Sequence, residues 1–227
     1  MTGAPPGTGR SEDPLGGDPR VRSYFGDRYP VLEQYARLLA TTGVEWGVIG
    51  PRESGRLWER HLLNCAAVVP FLAPGSVADV GSGAGLPGIV IAAMKPEREV
   101  VLIESMARRA TWLGEAAEAL GLTRVEVIRA RAEEIRSLRV ASVVARAVAP
   151  LSRLINLCQG LVDDGGEMLF LKGRAAGDEV REASRELERR GLSAEAFEAT
   201  TVEGVQATTI VRVWSVVGRA GKERLES

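Results

Sequence analysis

Five residues in the middle of the chain have the types and the spacing of a site for a nucleoside. An acid is followed by glycines at every second position, and another acid ends the next apolar run. Glycine lets the main chain bend sharply and approach a ligand closely. A carboxylate at the end of a second strand can accept hydrogen bonds from the hydroxyl groups of a ribose. The residues of this predicted site are Asp79, Gly81, Gly83, Gly85 and Glu104.

The glycines leave two kinds of ligand open. Residues 83–88 read G-x-G-x-x-G, which is typical of dinucleotide-binding turns and would fit a nucleotide-binding oxidoreductase. That fingerprint requires its first glycine directly after the strand, and counted from Gly81 its sixth position is Leu86. The register that the strand favours is acid-x-Gly-x-Gly-x-Gly. This form is similar to the first motif of S-adenosylmethionine-dependent methyltransferases, so we predict S-adenosylmethionine as the cofactor.

Further residues of interest follow the other predicted strands. Arg131, Ala132 and Glu133 come after the third apolar run, Arg146 ends the fourth, and Lys172 follows the fifth. The carboxyl ends of parallel strands lie at one edge of a sheet, where such folds bind their ligands. We therefore expect these residues to face the same cleft as the glycine turn.

Five short apolar runs that alternate with helical patterns predict an α/β fold. Alternation of this kind makes a parallel sheet with helices on both faces. Two final runs rich in threonine and valine predict an antiparallel hairpin. The stretch 163–166, Asp-Asp-Gly-Gly, is expected to be the turn into the fifth strand. The predicted strands are residues 77–80, 100–103, 125–128, 140–145, 168–171, 194–201 and 208–217.

The chain divides into four parts by composition and pattern. Residues 1–20 have many glycines and prolines and hardly any large apolar side chain, so we expect a disordered tail. Residues 21–75 are expected to form a helical cap with helices at about 21–40 and 53–71, the second of which carries the single histidine of the chain, His61. Residues 76–217 would then be the α/β domain, and residues 218–227 a flexible tail.

Composition restricts the partners and the compartment. The net charge is −1 and the pI is about 6.0, so no overall basic field attracts nucleic acid, and any RNA binding must be local. The two cysteines, Cys65 and Cys158, lie far apart without a C-x-x-C pair, so we expect neither a disulfide scaffold nor a metal site. No apolar run reaches the ~20 residues that span a bilayer, and the polar amino terminus has no signal-peptide core. We therefore expect a cytoplasmic protein without a membrane partner.

Six segments between about residues 57 and 173 resemble a known family. They read RHLLNCAAV, DVGSGAGLPGIVIA, LIESMARRATWL, ARAEEI, VARAVAPL and LFLKG. Together they are similar to the RsmG (GidB) family of bacterial methyltransferases, which modify N7 of a guanosine in 16S ribosomal RNA. The resemblance implies a Rossmann-like class I methyltransferase, with a helical amino-terminal cap before a seven-stranded, mostly parallel sheet that ends in an antiparallel hairpin. It also implies 16S rRNA or the small ribosomal subunit as partner; we expect a monomer.

The resemblance implies which residues hold the cofactor. Gly81 and Leu86 would contact S-adenosylmethionine, Glu104 would bind its ribose, and Ala132 with Glu133 would bind its adenine. A backbone N–H and a carboxylate suit the adenine edge, whereas the alternative for Glu133 is an acid favoured by a helix N-terminus. The predicted cofactor-binding set is Asp79, Gly81, Gly83, Gly85, Leu86, Glu104, Ala132, Glu133 and Arg146.

The predicted catalytic set consists of Arg146, Lys172 and His61. The fork of Arg146 suits a guanine edge or a phosphate, and Lys172 can bind a phosphate as a point charge. The alternative for Arg146 is a salt bridge to a carboxylate at the sheet end, and for His61 a packed or surface position. The chain departs from the family pattern at Asn64, where an acid is common, and over residues 44–50.

The predicted reaction needs no general base. Guanine N7 already has an exposed lone pair, so the enzyme has to align it with the methyl group and tolerate the charge that passes to the base. The chain has Arg146-Ala-Val-Ala-Pro150 where amine-methylating enzymes have Asn- or Asp-Pro-Pro-aromatic, and Cys158 falls inside a predicted helix, away from the place of a catalytic cysteine. A methyltransferase of the same fold that acts on a small molecule or a protein is the alternative.

Overall fold

A seven-stranded sheet forms the centre of the molecule. The computed structural model describes residues 13–146 and 149–216, and the structural statements below concern these residues. The strands are β1 Val77–Val80, β2 Val100–Ile103, β3 Val125–Ile128, β4 Val140–Arg146, β5 Val162–Lys172, β6 Leu192–Ala199 and β7 Thr208–Ser215. Their order is β3-β2-β1-β4-β5-β7-β6, and β7 runs antiparallel to both of its neighbours. The predicted fold class is confirmed, including the hairpin of β6 and β7.

Helices lie in the amino-terminal cap and between the strands. The α-helices are α1 Pro19–Phe25, α2 Tyr29–Leu38, α3 Asn64–Ala66, α4 Gly88–Met94, α5 Ala107–Ala119, α6 Leu151–Cys158 and α7 Ala176–Arg189. Short 3-10 or π-helical turns occupy Gly26–Arg28, Leu39–Gly43, Pro51–Arg56, Trp58–Leu63, Val69–Phe71, Ala132–Glu134 and Gln159–Leu161. In the described part of the chain, no helix has both the length and the apolar character needed to cross a bilayer.

Both faces of the sheet are covered. The cap, α4 and α5 pack on one face around residues such as Leu102 and Trp112, and α6 and α7 pack on the other around Ile103 and Phe170. Successive residues of β2, Leu102 and Ile103, therefore belong to different cores. A parallel strand that is covered on both sides has apolar residues at every position, which explains the continuous apolar runs of the sequence.

The strand order determines where a ligand can bind. β1 pairs with β2 on one side and with β4 on the other, so the order of the chain reverses between β1 and β4. Loops that leave the carboxyl ends of such strands run to opposite faces, and a crevice opens between them. Gly81 follows β1, Glu104 follows β2 and Arg146 ends β4, so all three border this crevice.

Residues 13–20 make definite contacts, although the composition predicts a disordered tail there. The Asp13 carboxylate accepts hydrogen bonds from the backbone N–H of Leu15 and of Trp58, and Asp18 caps α1 by accepting from Arg20 N–H. The prediction of a disordered tail over residues 1–20 is therefore wrong for residues 13–20, because two aspartates supply local capping and a contact to the cap. Residues 1–12 and the predicted tail 218–227 lie outside the described residues.

The cap is helical, as predicted, but its two helices are interrupted. Gly26 has φ of +52° and ends α1, and α2 begins at Tyr29 after a short 3-10 turn, with Pro30 in its first turn. The second predicted helix consists of a 3-10 turn that starts at Pro51, the π-helical turns Trp58–Leu63, and α3. Apolar spacing alone predicted continuous helices because it does not register these changes of helical pitch.

The Asp-Asp-Gly-Gly stretch is part of a bulged strand instead of a turn before it. Val140 pairs with Val162 and Ser142 pairs with Glu167, so residues 163–166 are looped out opposite a single residue of β4. Gly166 lies so close to β4 that a Cβ would come within 2.7 Å of the Ala141 carbonyl oxygen. The glycine is required there by a close approach of two backbones.

Candidate active site

Close packing fixes the glycine turn between β1 and α4. Gly85 has φ of +91°, and a Cβ at this position would overlap the Ile89 side chain. A Cβ on Gly88 would overlap Leu102 and come within 2.7 Å of Asp79 Oδ2. Tight packing of helix on strand thus accounts for the last glycine of the literal G-x-G-x-x-G, without a bound pyrophosphate.

Glu104 connects the glycine turn to the segment after β2. Its Oε2 accepts a hydrogen bond from Gly83 N–H at 3.0 Å, and its Oε1 accepts one from Met106 N–H at 2.8 Å. The residue is only 5% exposed. Each carboxylate oxygen has a second lone pair, so Glu104 can hold both backbone segments and still accept from ribose hydroxyls.

A cavity of about 310 Å³ opens beside Glu104. Four of the predicted cofactor residues lie on its wall: Gly81, Glu104, Ala132 and Glu133. Three larger cavities, of about 520, 650 and 330 Å³, lie near the amino-terminal ends of the parallel strands, where this kind of sheet does not bind ligands. The lining residues of the cavity at the carboxyl ends are Val80, Gly81, Ile103, Glu104, Ser105, Ala130, Arg131, Ala132, Glu133, Arg153 and Leu157.

The cavity wall includes two residues of α6 that the sequence did not indicate, whereas five residues of the predicted cofactor set are absent from it: Asp79, Gly83, Gly85, Leu86 and Arg146. Arg153 and Leu157 are four positions apart, so they share one face of α6, and this spacing was the signal that could have found them. Leu86 is 5% exposed and packs in the core on the cap side of the sheet. Its predicted contact with the cofactor stays a prediction.

Asp79 lies buried beneath the glycine turn and has one oxygen to spare. Its Oδ2 accepts from Gly88 N–H at 2.9 Å, whereas Oδ1 has no hydrogen-bond partner among the described residues. Burial raises the pKa of this carboxyl to about 7. A buried carboxylate oxygen without a donor suits a cationic group, and S-adenosylmethionine has an ammonium on the part that faces such a turn. Asp79 therefore fits this cofactor.

Arg146 and His61 are brought together at the boundary between the cap and the sheet. Arg146 Nη1 donates to His61 Nδ1 at 2.9 Å and to the Arg60 carbonyl oxygen at 3.2 Å. The His61 Nε2 proton then points to Glu53 Oε2, which lies 2.9 Å away. Arg146 makes no ion pair with a carboxylate in the described residues, so the alternative of a salt bridge at the sheet end is not observed.

His61 is a neutral acceptor in this arrangement. Burial and the nearby Arg146 guanidinium lower the pKa of His61 to about 4, although Glu53 opposes the shift. The side chain is 11% exposed. The imidazole is therefore uncharged at neutral pH, with its proton on Nε2 and the lone pair of Nδ1 directed at Arg146.

Lys172 is not positioned to bind a phosphate. Its ammonium lies 2.8 Å from Glu179 Oε2 and donates to the Ala149 carbonyl oxygen at 2.9 Å, and the side chain is 7% exposed. The sequence places Lys172 correctly at the end of β5, but it could not indicate that α7 supplies a buried partner. We correct the predicted role accordingly, from a phosphate contact to an internal ion pair.

Asn64 joins the cap to the terminal hairpin. Its Nδ2 donates to Thr208 Oγ1 at 2.9 Å, and the Thr208 hydroxyl donates back to the Asn64 carbonyl oxygen at 3.3 Å. An amide can take part in this exchange because it offers a donor, which a carboxylate lacks. The departure of the sequence at Asn64 therefore has a structural role in this chain.

A family model described as rRNA small subunit methyltransferase G, GidB, matches residues 28–207. Proteins with the name ribosomal RNA small subunit methyltransferase G are similar over most of their length. The one from Thermobifida fusca is 48% identical over 196 residues, which cover 85% of this chain and 83% of that protein. The one from Clavibacter sepedonicus is 45% identical over 196 residues, which cover 86% of this chain and 92% of that protein.

Solved structures of other methyltransferases share the fold. Precorrin-6y C5,15-methyltransferase from Geobacter metallireducens has a TM-score of 0.53 and 15% identity, covering 74% of this chain and 90% of that chain. The ribosomal protein L11 methylase from Lactobacillus delbrueckii has a TM-score of 0.52 and 16% identity, covering 67% of this chain and 77% of that chain. At this identity the likeness concerns the architecture alone.

Proposed function

Since this chain belongs to the GidB family of rRNA small subunit methyltransferases, we propose that it transfers a methyl group from S-adenosylmethionine to N7 of a guanosine in 16S rRNA. Family membership makes the chain an S-adenosylmethionine-dependent rRNA methyltransferase. The roles of individual residues are our proposal. The observation that carries them is that a nucleoside-sized cavity beside Glu104 and Arg146, which has no carboxylate ion pair in the described residues, both lie at the carboxyl ends of the neighbouring strands β2, β1 and β4.

The residues around the glycine turn would hold the cofactor by its three parts. The ribose hydroxyls fit the free lone pairs of Glu104, and the adenine fits the cavity wall at Ala132 and Glu133. The amino group fits Asp79 Oδ1, which has no partner among the described residues. When bound, S-adenosylmethionine supplies an electrophilic methyl group on a sulfonium.

The protein has to position the guanine and accept a change of charge. N7 attacks through a lone pair, so it must stay free of hydrogen bonds, and Arg146 would hold the guanine through O6 or through a phosphate. The methylated ring is cationic, and a neutral His61 adds no second charge to oppose it. Alignment rather than proton transfer would therefore supply the rate enhancement.

We further propose that the enzyme acts as a monomer in the cytoplasm, on 16S rRNA or on the small subunit. The net charge of −1 leaves local arginines to make the RNA contacts. Arg131 and Arg153 lie on the cavity wall and make no ion pair with a carboxylate in the part of the chain that the structure describes, so their guanidinium groups are available for this.

Chemical cleavage of the product tests the position of methylation. N7-methylguanine can be reduced with borohydride, and aniline then cuts the strand, whereas neutral methylations do not sensitise the strand. We expect 16S rRNA or small subunits from cells without the protein to gain one new sensitive guanosine on incubation with the protein and S-adenosylmethionine. Arg146→Ala should lower this signal more than it lowers cofactor affinity.

Two results would contradict the proposal. Methyl label in RNA without a sensitive guanosine would mean that another atom is the target. Cofactor binding without label in RNA, in any assembly state of the subunit, would favour a small molecule or a protein as substrate.

A further inference from the structure

Lys172 and Glu179 hold the chain on both sides of Pro150. The Lys172 ammonium donates to the carbonyl oxygen of Ala149, and Glu179 Oε2 accepts from the backbone N–H of Leu151 at 2.7 Å. The two side chains also pair with each other at 2.8 Å. A single ion pair between β5 and α7 therefore binds the two backbone groups that flank one proline.

Glu179 acts as a cap for α6 from a distant part of the chain. α6 begins at Leu151, and the residue at its N-cap position is Pro150, whose side chain makes no capping hydrogen bond. The first N–H groups of a helix need acceptors, and a negative charge near them is favourable. Glu179 meets both needs, while Lys172 compensates its charge in a place where an unpaired carboxylate would be costly.

Arg146 and the held residues Ala149 and Leu151 belong to one stretch of chain, of which residues 147–148 lie outside the described part. At its start, Arg146 is tied to the cap through His61 Nδ1 and the Arg60 carbonyl oxygen. At its end, Ala149 and Leu151 are tied to β5 and α7 by Lys172 and Glu179. The same helix α6 then carries Arg153 and Leu157 to the cavity wall. Arg146 and the amino end of α6 are thus each anchored by side chains or backbone groups of other elements.

We propose that Lys172 and Glu179 are a positioning pair for methyl transfer, which fixes the amino end of α6 and so aligns the α6 side of the cofactor cavity with Arg146. This inference rests on the proposed rRNA methylation and deepens it. It replaces a direct contact of Lys172 with RNA phosphate. The two ideas differ in what removal of Glu179 does. Without Glu179, Lys172 would still bind a phosphate, but the pair could no longer fix the amino end of α6.

Single-turnover methyl transfer with Lys172→Met, Glu179→Met and the double variant tests the proposal. Each single change should lower the maximal rate about 10- to 100-fold, since small misplacements near reacting groups have effects of this size. The KM for RNA and the slope of its salt dependence should stay near those of the unchanged protein. The double variant should be no slower than the slower single variant, because the two residues act as one unit. The double variant also lacks both charges, so it leaves no unpaired buried charge. It should therefore fold even if a single variant does not.

Hydrogen exchange gives a readout that needs no substrate. In Glu179→Met, the amide of Leu151 should exchange at least about tenfold faster, since it loses its acceptor. Asp178→Asn is the matched control: it removes a neighbouring carboxylate on α7 that pairs with Arg181, and it should change neither the rate nor the exchange at Leu151.

Two outcomes would overturn the proposal. In the first, Lys172→Met has a raised KM for RNA and a flatter salt dependence of this KM, whereas Glu179→Met methylates RNA as fast as the unchanged enzyme. The other is unaltered exchange of Leu151 in Glu179→Met. Failure of the unchanged protein to methylate rRNA would instead refute the proposed function. The exchange experiment would still decide whether the pair holds the amino end of α6.

Discussion

Arg146 Nη1 donates to His61 Nδ1 at 2.9 Å, across the boundary between the cap and the sheet. An imidazole acceptor orients the guanidinium without neutralising it, which a carboxylate would do. Glu53 fixes the other end of the imidazole by accepting its Nε2 proton. The cap thereby holds a guanidinium that has no carboxylate ion pair in the described residues, and this relationship gives the first prediction.

Replacing His61 should impair methyl transfer without weakening cofactor binding. His61→Leu leaves Arg146 without its acceptor, and we expect the single-turnover rate to fall about 10- to 100-fold. His61→Gln should lose less, because an amide oxygen can still accept from the guanidinium. Titration calorimetry with S-adenosylmethionine should give nearly the same affinity for both variants. A His61→Leu enzyme that is as fast as the unchanged protein would remove His61 from the machinery.

Replacing Asp79 should change how stability depends on pH. The pKa of Asp79 is raised in the folded protein from 3.8 to about 7, so the folded state binds a proton more tightly than the unfolded state. The contribution of Asp79 to the free energy of unfolding is therefore fully present below pH 3.8 and is lost as the pH rises to the folded-state pKa of about 7. Asp79→Asn removes this dependence, and relative to the variant the unchanged protein should lose on the order of 3 kcal/mol between about pH 5 and pH 8.

Urea unfolding of both proteins at the two pH values measures this difference. Titration of His61 is common to both proteins and cancels in the comparison. Parallel pH curves for the unchanged protein and the Asp79→Asn variant would mean that the carboxyl has an ordinary pKa.

Replacing Glu104 should weaken cofactor binding strongly. Glu104→Ala removes the acceptor for the ribose and also the link between Gly83 and Met106, and loss of a charged hydrogen bond costs about 1.5–3 kcal/mol. Glu104→Gln keeps one carbonyl acceptor, so its affinity for the cofactor should lie between that of the unchanged protein and that of Glu104→Ala. Affinity is measured by calorimetry, with circular dichroism as the check on folding. A folded Glu104→Ala protein with normal affinity would exclude the ribose contact.

Replacing Asn64 should loosen the cap. Asn64→Ala removes the hydrogen bond to Thr208 and leaves the Thr208 hydroxyl in a buried place, so we expect about 1–2 kcal/mol less stability. Thr208→Val removes the partner, and the double change should cost less than the sum of the two single changes. Denaturant unfolding of the four proteins tests this coupling, which additive costs would disprove.

Local features of the sequence predicted the sheet and the cofactor side of the site. The glycine turn, Asp79 and Glu104 lie in one continuous βαβ unit, so their spacing in the chain determines their spacing in space. The positions of Ala132 and Glu133 on the cavity wall were predictable for a similar reason, because they come shortly after the end of a strand.

Residues whose partners lie in another element of the fold could not be interpreted in this way. Lys172 was assigned to a phosphate contact because its position at a strand end does not indicate an ion pair. The partner, Glu179, lies in the first turn of α7, and only the fold places it next to Lys172. The contact between Arg146 and His61 spans 85 positions, and only the packing of the cap on the sheet creates it. The looped-out residues 163–166 likewise depend on the register between β4 and β5.

The attachment of Asn64 to Thr208 has a consequence for synthesis of the chain. The cap leaves the ribosome before the strands of the sheet, yet the partner of Asn64 follows 144 positions later and that of His61 follows 85 positions later. At ~5–20 residues per second, the cap waits several seconds before β7 is available to it. A nascent chain can complete its glycine turn long before it can dock the cap, because the attachment of Asn64 requires β7.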